Sequence, residues 1–267
     1  MPYLRQYTDQ MGFTVSLSRL PKRIVSLVPS QTELLYHLGV EPVGQTIFCI
    51  HPSRKFKSST KIGGTKKLNL DVIRALKPDL IIGNKEENDA DQINQLQDEF
   101  PVWMSDINTI EESYKMIELV GKMTGKNSEA TKLIFDTKAT FSRLITTNLP
   151  KPTVVYLIWN KPFYGVGSST FIHDVLDKSG FDNALKKLKR YPELTVEEIN
   201  EINPDYIFLS SEPYPFKEAH QQELARLCPG AKVVLVDGEM FSWYGSRLQQ
   251  APAYINRLIS DIRSKRK

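Results

Sequence analysis

Cysteine is nearly absent: two residues, Cys49 and Cys228, in a chain of 267. They form no CxxC pair, which argues against zinc ribbons and cysteine-ligated iron–sulfur clusters. Histidine is almost as scarce, at four residues. His37, His173 and His220 fall within helical patterns and only His51 lies in a loop, so a three-histidine site for a bare metal is not expected. No apolar run approaches the length of a membrane span. The stretch "GVGSST" lacks the GK[ST] ending of a phosphate loop, which argues against nucleotide hydrolysis. An excess of one charge is missing too: 35 basic and 31 acidic residues leave +4. That is too mild to demand a nucleic-acid partner, and the tail "RSKRK" reads as a solvated helix end. The first twenty residues show no basic start followed by an apolar stretch, the pattern of a secretory signal.

What is present is a repeat. "VIRALKPDLIIG" begins at Val72, and "EEINEINPDYIFLS" begins at Glu197. Ile73, Leu76, Pro78, Asp79 and Ile81 align with Ile199, Ile202, Pro204, Asp205 and Ile207. Each copy reads as a helix ended by proline, then a buried strand opened by an aspartate that satisfies backbone donors in the turn.

Around the repeat, the pattern alternates. "FTVSLS" reads as a short strand and "RIVSLVPS" as a strand buried on both faces. Ser30 is expected to cap the helix "QTELLYHLG", with Glu33 three residues on as in a capping box. "EPVGQTIFCI" is a second strand, followed by a basic loop, "HPSRKFKSSTKIGGTKK". The first repeat copy, "ADQINQLQDEF", "VWMSD" and "IEESYKMIELVGKMTG" continue the alternation. The second half opens with the strand "TVVYLIW" and a turn, "NKPFYGVGSST", and runs in the same order to a closing helix. Two α/β lobes with parallel sheets follow from this. The lobes are expected at 1–126 and 150–267. Between them a helix with Leu133, Ile134, Thr137, Phe141, Leu144 and Ile145 at helical spacing, within 127–149, would be roughly 30 Å long.

"RIVSLVPSQTELLYHLG", "LNLDVIRALKPDLIIG", the long helix and "LTVEEINEINPDYIFLS", in this order, resemble the helical-backbone substrate-binding receptors of ABC importers. The likeness is to the cobalamin and iron–siderophore group and covers the chain from about Arg23 onward. It implies two Rossmann-like lobes joined by one backbone helix, a ligand cleft between them, no catalysis and no intrinsic cofactor. The bound ligand would be a metal chelate, a corrinoid or a ferric siderophore. It also implies an ABC permease as partner, no nucleic acid, no membrane insertion and a monomer. An acidic residue on each lobe docks to the permease in this family; Asp71 and Glu197 occupy those places, or else complement the dipoles of their helices. The family is exported, so the compartment is periplasmic or extracellular if a leader has been removed, and cytoplasmic if the chain is complete as written. Cobalamin receptors carry a tryptophan after the first repeat strand, where this chain has Asn84.

Loops beyond the carboxyl ends of the strands are the expected ligand contacts. In the first lobe these are Ser30 and Gln31 at a helix N-terminus, Cys49 with His51, and Asn84. Cys49 and His51, two apart, would point the same way on an extended segment and could ligate a metal; a buried thiol and a hydrogen-bonded imidazole is the alternative. In the second lobe Trp159 and Tyr164 offer flat apolar surface. Two further loops, "SSEPYPFKE" and "VDGEMFSWYGSRL", add Glu212, Tyr214 and Phe216, then Glu239, Phe241, Trp243, Tyr244 and Arg247. Aromatics this dense in loops suit a broad or conjugated ligand; packing of Phe216 and Phe241 under the loops is the plainer reading. The alternative function is a cytoplasmic metal- or tetrapyrrole-handling enzyme or carrier on the same fold. It would use Cys49 and His51 with Glu212 or Glu239, a carboxylate in an aromatic setting serving as general acid.

Overall fold

Each helix–proline–aspartate unit of the repeat builds the same junction. Asn69 accepts from Val72 N to cap the helix Leu70–Leu76, and Thr195 with Glu198 forms a capping box on Val196–Ile202. Both helices end on a left-handed residue, Lys77 (φ 45°) and Asn203 (φ 47°), just before the proline. Asp79 then accepts from Lys22 N and Arg23 N at 3.0 and 2.7 Å, and Asp205 accepts from Thr153 N at 2.8 Å. The aspartates therefore satisfy the backbone entering the neighbouring strand, not donors in their own turn. Ile73 and Ile81 lie in one core, Ile199 and Ile207 in another, all fully buried.

The structure is a computed structural model that describes residues 4–145 and 150–264. It separates into two compact units. The first holds Met1–Ile107, Glu111–Lys138 and Tyr244–Gln249; the second holds Asn108–Ile110, Ala139–Trp243 and Gln250–Lys267. In chain order the elements begin with β1 (Arg5–Thr8), β2 (Thr14–Leu17), β3 (Ile24–Ser26), α1 (Pro29–His37), β4 (Gly44–Gln45), α2 (Ser53–Ser58) and α3 (Leu70–Leu76). Then come β5 (Leu80–Asn84), α4 (Ala90–Gln97), β6 (Val102–Ser105), α5 (Ile110–Thr124) and α6 (Asn127–Phe141). The remaining strands are β7 (Thr153–Trp159), β8 (Phe163–Gly165), β9 (Asp182–Asn183), β10 (Glu193–Leu194), β11 (Tyr206–Ser210) and β12 (Lys232–Val236). The remaining helices are α7 (Phe171–Lys178), α8 (Val196–Ile202), α9 (Glu218–Leu227), α10 (Glu239–Ser242) and α11 (Ala251–Ser264).

In the first unit β4-β3-β5-β6 form a parallel sheet, and β1 pairs with β2 as a separate antiparallel hairpin. Ser26, Asn84 and Ser105 stand at or near the carboxyl ends of its three longer strands. The second unit's sheet runs β10-β8-β7-β11-β12, with β9 beside β7. It is mixed: β7, β11 and β12 are parallel, while β8 is antiparallel to β7 and to β10.

Four expectations are corrected. "NKPFYGVGSST" is more than a turn, because Phe163–Gly165 folds back on β7 as β8. "EPVGQTIFCI" holds only two strand residues before it turns. The basic segment contains helix α2 and a bridge from Lys61 to Gln45. The long helix ends at Phe141 instead of continuing to 149; residues 146–149 and the last three basic residues lie outside the described part.

Candidate functional site

In the first unit, the carboxyl ends of β3, β5 and β6 are closed by a polar network. Gln31 Nε2 donates to Gly83 O at 3.1 Å and to Ser105 Oγ at 2.6 Å. Asn84 Nδ2 donates to the same Ser105 hydroxyl at 3.0 Å, and its Oδ1 accepts from Glu86 N and Glu87 N. Both amides are buried; Asn84 is bonded through both its polar atoms, whereas Gln31 is bonded through Nε2 and its Oε1 has no partner among the described residues. Ser30 is buried inside the first turn of α1 and does not cap it: Val28 is the N-cap and Pro29 opens the helix. Ser30, Gln31 and Asn84, expected as ligand contacts, are thus parts of the floor.

The same network takes in a segment from far along the chain. Tyr244 is buried and donates to Glu87 Oε1 at 2.8 Å. Burial, reinforced by the Glu87 carboxylate, pushes its hydroxyl well above the ordinary tyrosine value. Arg247 grips Glu33 on α1 through Nε at 2.9 Å and through Nη2, with side chains 11% and 17% exposed. Gly245 (φ 118°) lies so close to α1 that a Cβ there would come within 3.2 Å of Ser30 O. Tyr244 and Arg247 were expected to contact ligand from the second lobe; they instead fasten residues 244–249 to the first unit.

Cys49 is fully buried, with Thr32 Oγ1 3.0 Å and Thr46 Oγ1 3.1 Å from its Sγ. Burial raises its thiol above the ordinary value against those hydrogen bonds, which keeps it protonated. His51 is half-buried. Among the described residues no group of three or more His, Cys, Asp or Glu is placed to hold a metal ion. Around Cys49, Ile47, Phe48 and Ile50 are 47%, 53% and 44% exposed. The loop is anchored by Ile47 N to Gly63 O at 2.9 Å, and the Phe48 ring lies over Gly64. Three large apolar side chains close in sequence are thus held open to water beyond the end of β4. Sequence reading missed them because it continued the strand through them; the available signal was the basic segment that follows immediately.

In the second unit, Trp159 ends β7 with 40% exposure and packs edge-on against Tyr214, centroids 5.7 Å apart. Tyr214 is half-buried and shares its hydroxyl with Asn160 Nδ2 at 3.2 Å and His220 Nε2 at 3.1 Å. Tyr164 is half-buried in β8 opposite Glu193. The other aromatics are core. Phe241 is fully buried against Tyr156, Phe208 and Tyr254, and Phe216 is 6% exposed. Trp243 is 7% exposed, its Nε1 donating to Glu212 Oε1 at 2.8 Å. The same oxygen accepts from Ser242 Oγ at 2.5 Å. Burial raises the Glu212 carboxyl above the usual range, partly offset by the Ser242 bond and reinforced by Glu239. Glu212, Phe241 and Trp243 therefore brace the α10 turn, while Phe216 packs against Tyr214 and His220, and none of the four forms an open ligand face. Glu239 is half-buried at the start of α10, its N–H held by Asp237 Oδ1.

A family model described as periplasmic binding protein matches residues 24–230. The chain belongs to the periplasmic binding protein family. An uncharacterized ABC transporter substrate-binding lipoprotein of Bacillus subtilis is 29% identical over 211 residues, 74% of this chain and 67% of that protein. The Fe(3+)-citrate-binding protein of the same organism is 27% identical over 216 residues, 76% and 67% of the two chains. A vitamin B12-binding protein of Vibrio vulnificus is 25% identical over 207 residues, 74% and 75%. Among solved structures, a possible iron-binding periplasmic solute-binding protein of Staphylococcus epidermidis superposes with a TM-score of 0.77 at 24% identity, covering 91% of this chain and 99% of that one. As a periplasmic binding protein, the chain has a fold whose task is to hold a solute; Asp71 and Glu197 are exposed near the starts of α3 and α8.

Proposed function

We propose that this periplasmic binding protein is the substrate-binding component of an ABC-type importer for a metal chelate, a corrinoid or a ferric siderophore, and that it catalyses no reaction. The observation that carries the reading is exposed apolar surface beyond strand ends in each unit: Ile47, Phe48 and Ile50 in the first, Trp159 in the second. Such surface suits the organic body of a chelate, which is broad and partly apolar. The likeness to Fe(3+)-citrate-binding and vitamin B12-binding proteins supports the same class of ligand. His51, Tyr164 and Tyr214 supply polar contacts at the margins of these surfaces. Asp71, whose side chain is 93% exposed, and Glu197 are the permease-docking carboxylates of the reading. The protein acts outside the cytoplasmic membrane, where such a component meets its solute.

Quenching of tryptophan fluorescence tests this, because Trp159 is the exposed one of the three tryptophans. Titration with cyanocobalamin, haemin, ferric citrate and a ferric hydroxamate siderophore should quench saturably with at least one of them. Phe48→Ala should weaken that binding about tenfold or more in the same titration, and Trp159→Ala, which removes the reporter, should weaken it as much by isothermal titration calorimetry, each leaving unliganded stability nearly unchanged. Equal affinity in both variants would overturn the assignment of the surface.

A further inference from the structure

Tyr214 is held in a way that its place in a loop does not require. Its N–H donates to Ile158 O at 3.3 Å, and its ring is walled edge-on by Trp159, Phe216 and His220 at 5.7, 4.9 and 5.4 Å. His220 stands in the first turn of α9, where its Nδ1 accepts the N–H of Lys217 at 2.9 Å. A neutral imidazole that accepts at Nδ1 carries its proton on Nε2. That Nε2–H, 3.1 Å from the phenol oxygen, must donate to it. Asn160 Nδ2 donates to the same oxygen at 3.2 Å. A phenol has acceptor lone pairs and one O–H. With two donors already on the oxygen, what Tyr214 has left to offer is its own proton.

We infer that Tyr214, locked by His220 and Asn160, is the polar selector of the binding surface, donating its O–H to an anionic oxygen of a ferric chelate: a carboxylate, hydroxamate or catecholate. Trp159, edge-on beside it, supplies the apolar contact for the same ligand. A hydrogen bond to a charged acceptor is roughly twice as strong as one to a neutral acceptor. The device therefore favours an oxygen-ligated ferric chelate, whose anionic oxygens surround the metal, over a corrinoid, whose corrin ring is edged by neutral amides and whose one anion is a phosphodiester away from the ring. This rests on the chelate-receptor reading and narrows it. Tyr214 is the contacting residue; His220 is a positioning residue that acts through it.

The test is a set of fluorescence titrations with ferric citrate, a ferric tris-hydroxamate, a ferric tris-catecholate and cyanocobalamin. Wild type should bind an oxygen-ligated ferric chelate. Tyr214→Phe should lose about tenfold or more in affinity for it, with the unliganded melting temperature little changed. His220→Gln should stay within about threefold, because its Oε1 can take the Lys217 N–H while its Nε2 donates to Tyr214. His220→Leu should fall with Tyr214→Phe, and this pair decides the matter even if Tyr214→Phe folds poorly. Tight ferric-chelate binding that Tyr214→Phe leaves intact overturns the selector role and spares the receptor reading. Binding of cyanocobalamin alone also overturns the selector role alone. Binding of none of the four by wild type overturns both.

Discussion

Asp79 and Asp205 show what the repeat is for at the scale of a residue. Each carboxylate ties the entry of one strand to the start of its neighbour, so each holds register in a parallel strand pair, β3 with β5 and β7 with β11, that no hairpin joins. Asp79→Ala should cost about 1–3 kcal/mol in urea unfolding, since it leaves the Lys22 and Arg23 N–H groups without these bonds. Asp79→Asn, which keeps an acceptor oxygen, should recover part of that. Glu212 makes a different prediction. Its carboxyl is raised mainly by burial, so the folded state holds the proton more tightly than the unfolded chain does. The sign follows: its stabilising share is full below the unfolded carboxyl range and is lost as pH rises through the higher folded value. Glu212→Gln keeps an acceptor for Ser242 and Trp243 and cannot ionise. Its melting temperature relative to wild type should therefore rise between pH 4 and pH 7.5. A flat difference across that span would contradict the burial argument.

At the scale of elements, continuous apolar runs made β3, β5, β7 and β11 legible, because a strand covered on both faces leaves no alternation to misread. Helix α5 and the pair α3 and α8 were legible from periodicity and caps. Strand β8 was not, because Phe163–Gly165 is three residues beside glycines and prolines, and only its pairing with β7 makes it a strand. The segment 244–249 was misassigned for a like reason. Its aromatic and basic residues look like ligand contacts in sequence, and only the tertiary partners Glu87 and Glu33 show otherwise. Arg247→Ala strands a largely buried Glu33 and should cost about 3 kcal/mol. A double-mutant cycle with Glu33→Gln should show the two losses to be strongly non-additive. Additive losses would mean that the pair does not fasten the segment.

At the scale of the whole molecule, the order of motifs carried the family, and the residues of the site were the harder part. Aromatic density in "VDGEMFSWYGSRL" pointed to a ligand face, yet Phe241 and Trp243 are buried because small neighbours let the loop close on the sheet: a Cβ at Gly238 would sit 2.4 Å from Ser210 Oγ. Ile47, Phe48 and Ile50 after β4, and Trp159 at the end of β7, are instead among the large apolar side chains left exposed. The central claim is that this chain holds a metal chelate on such surfaces, and a thermal-shift screen against cobalamins, haemin, ferric siderophores, ferric citrate and free divalent metals tests it most directly. A ligand that binds only the folded state adds about 2.7 kcal/mol at a hundredfold excess over its dissociation constant. The account predicts a raised melting temperature with a chelate, diminished in Trp159→Ala and Phe48→Ala. A shift from a bare metal alone, lost in His51→Ala, would contradict it.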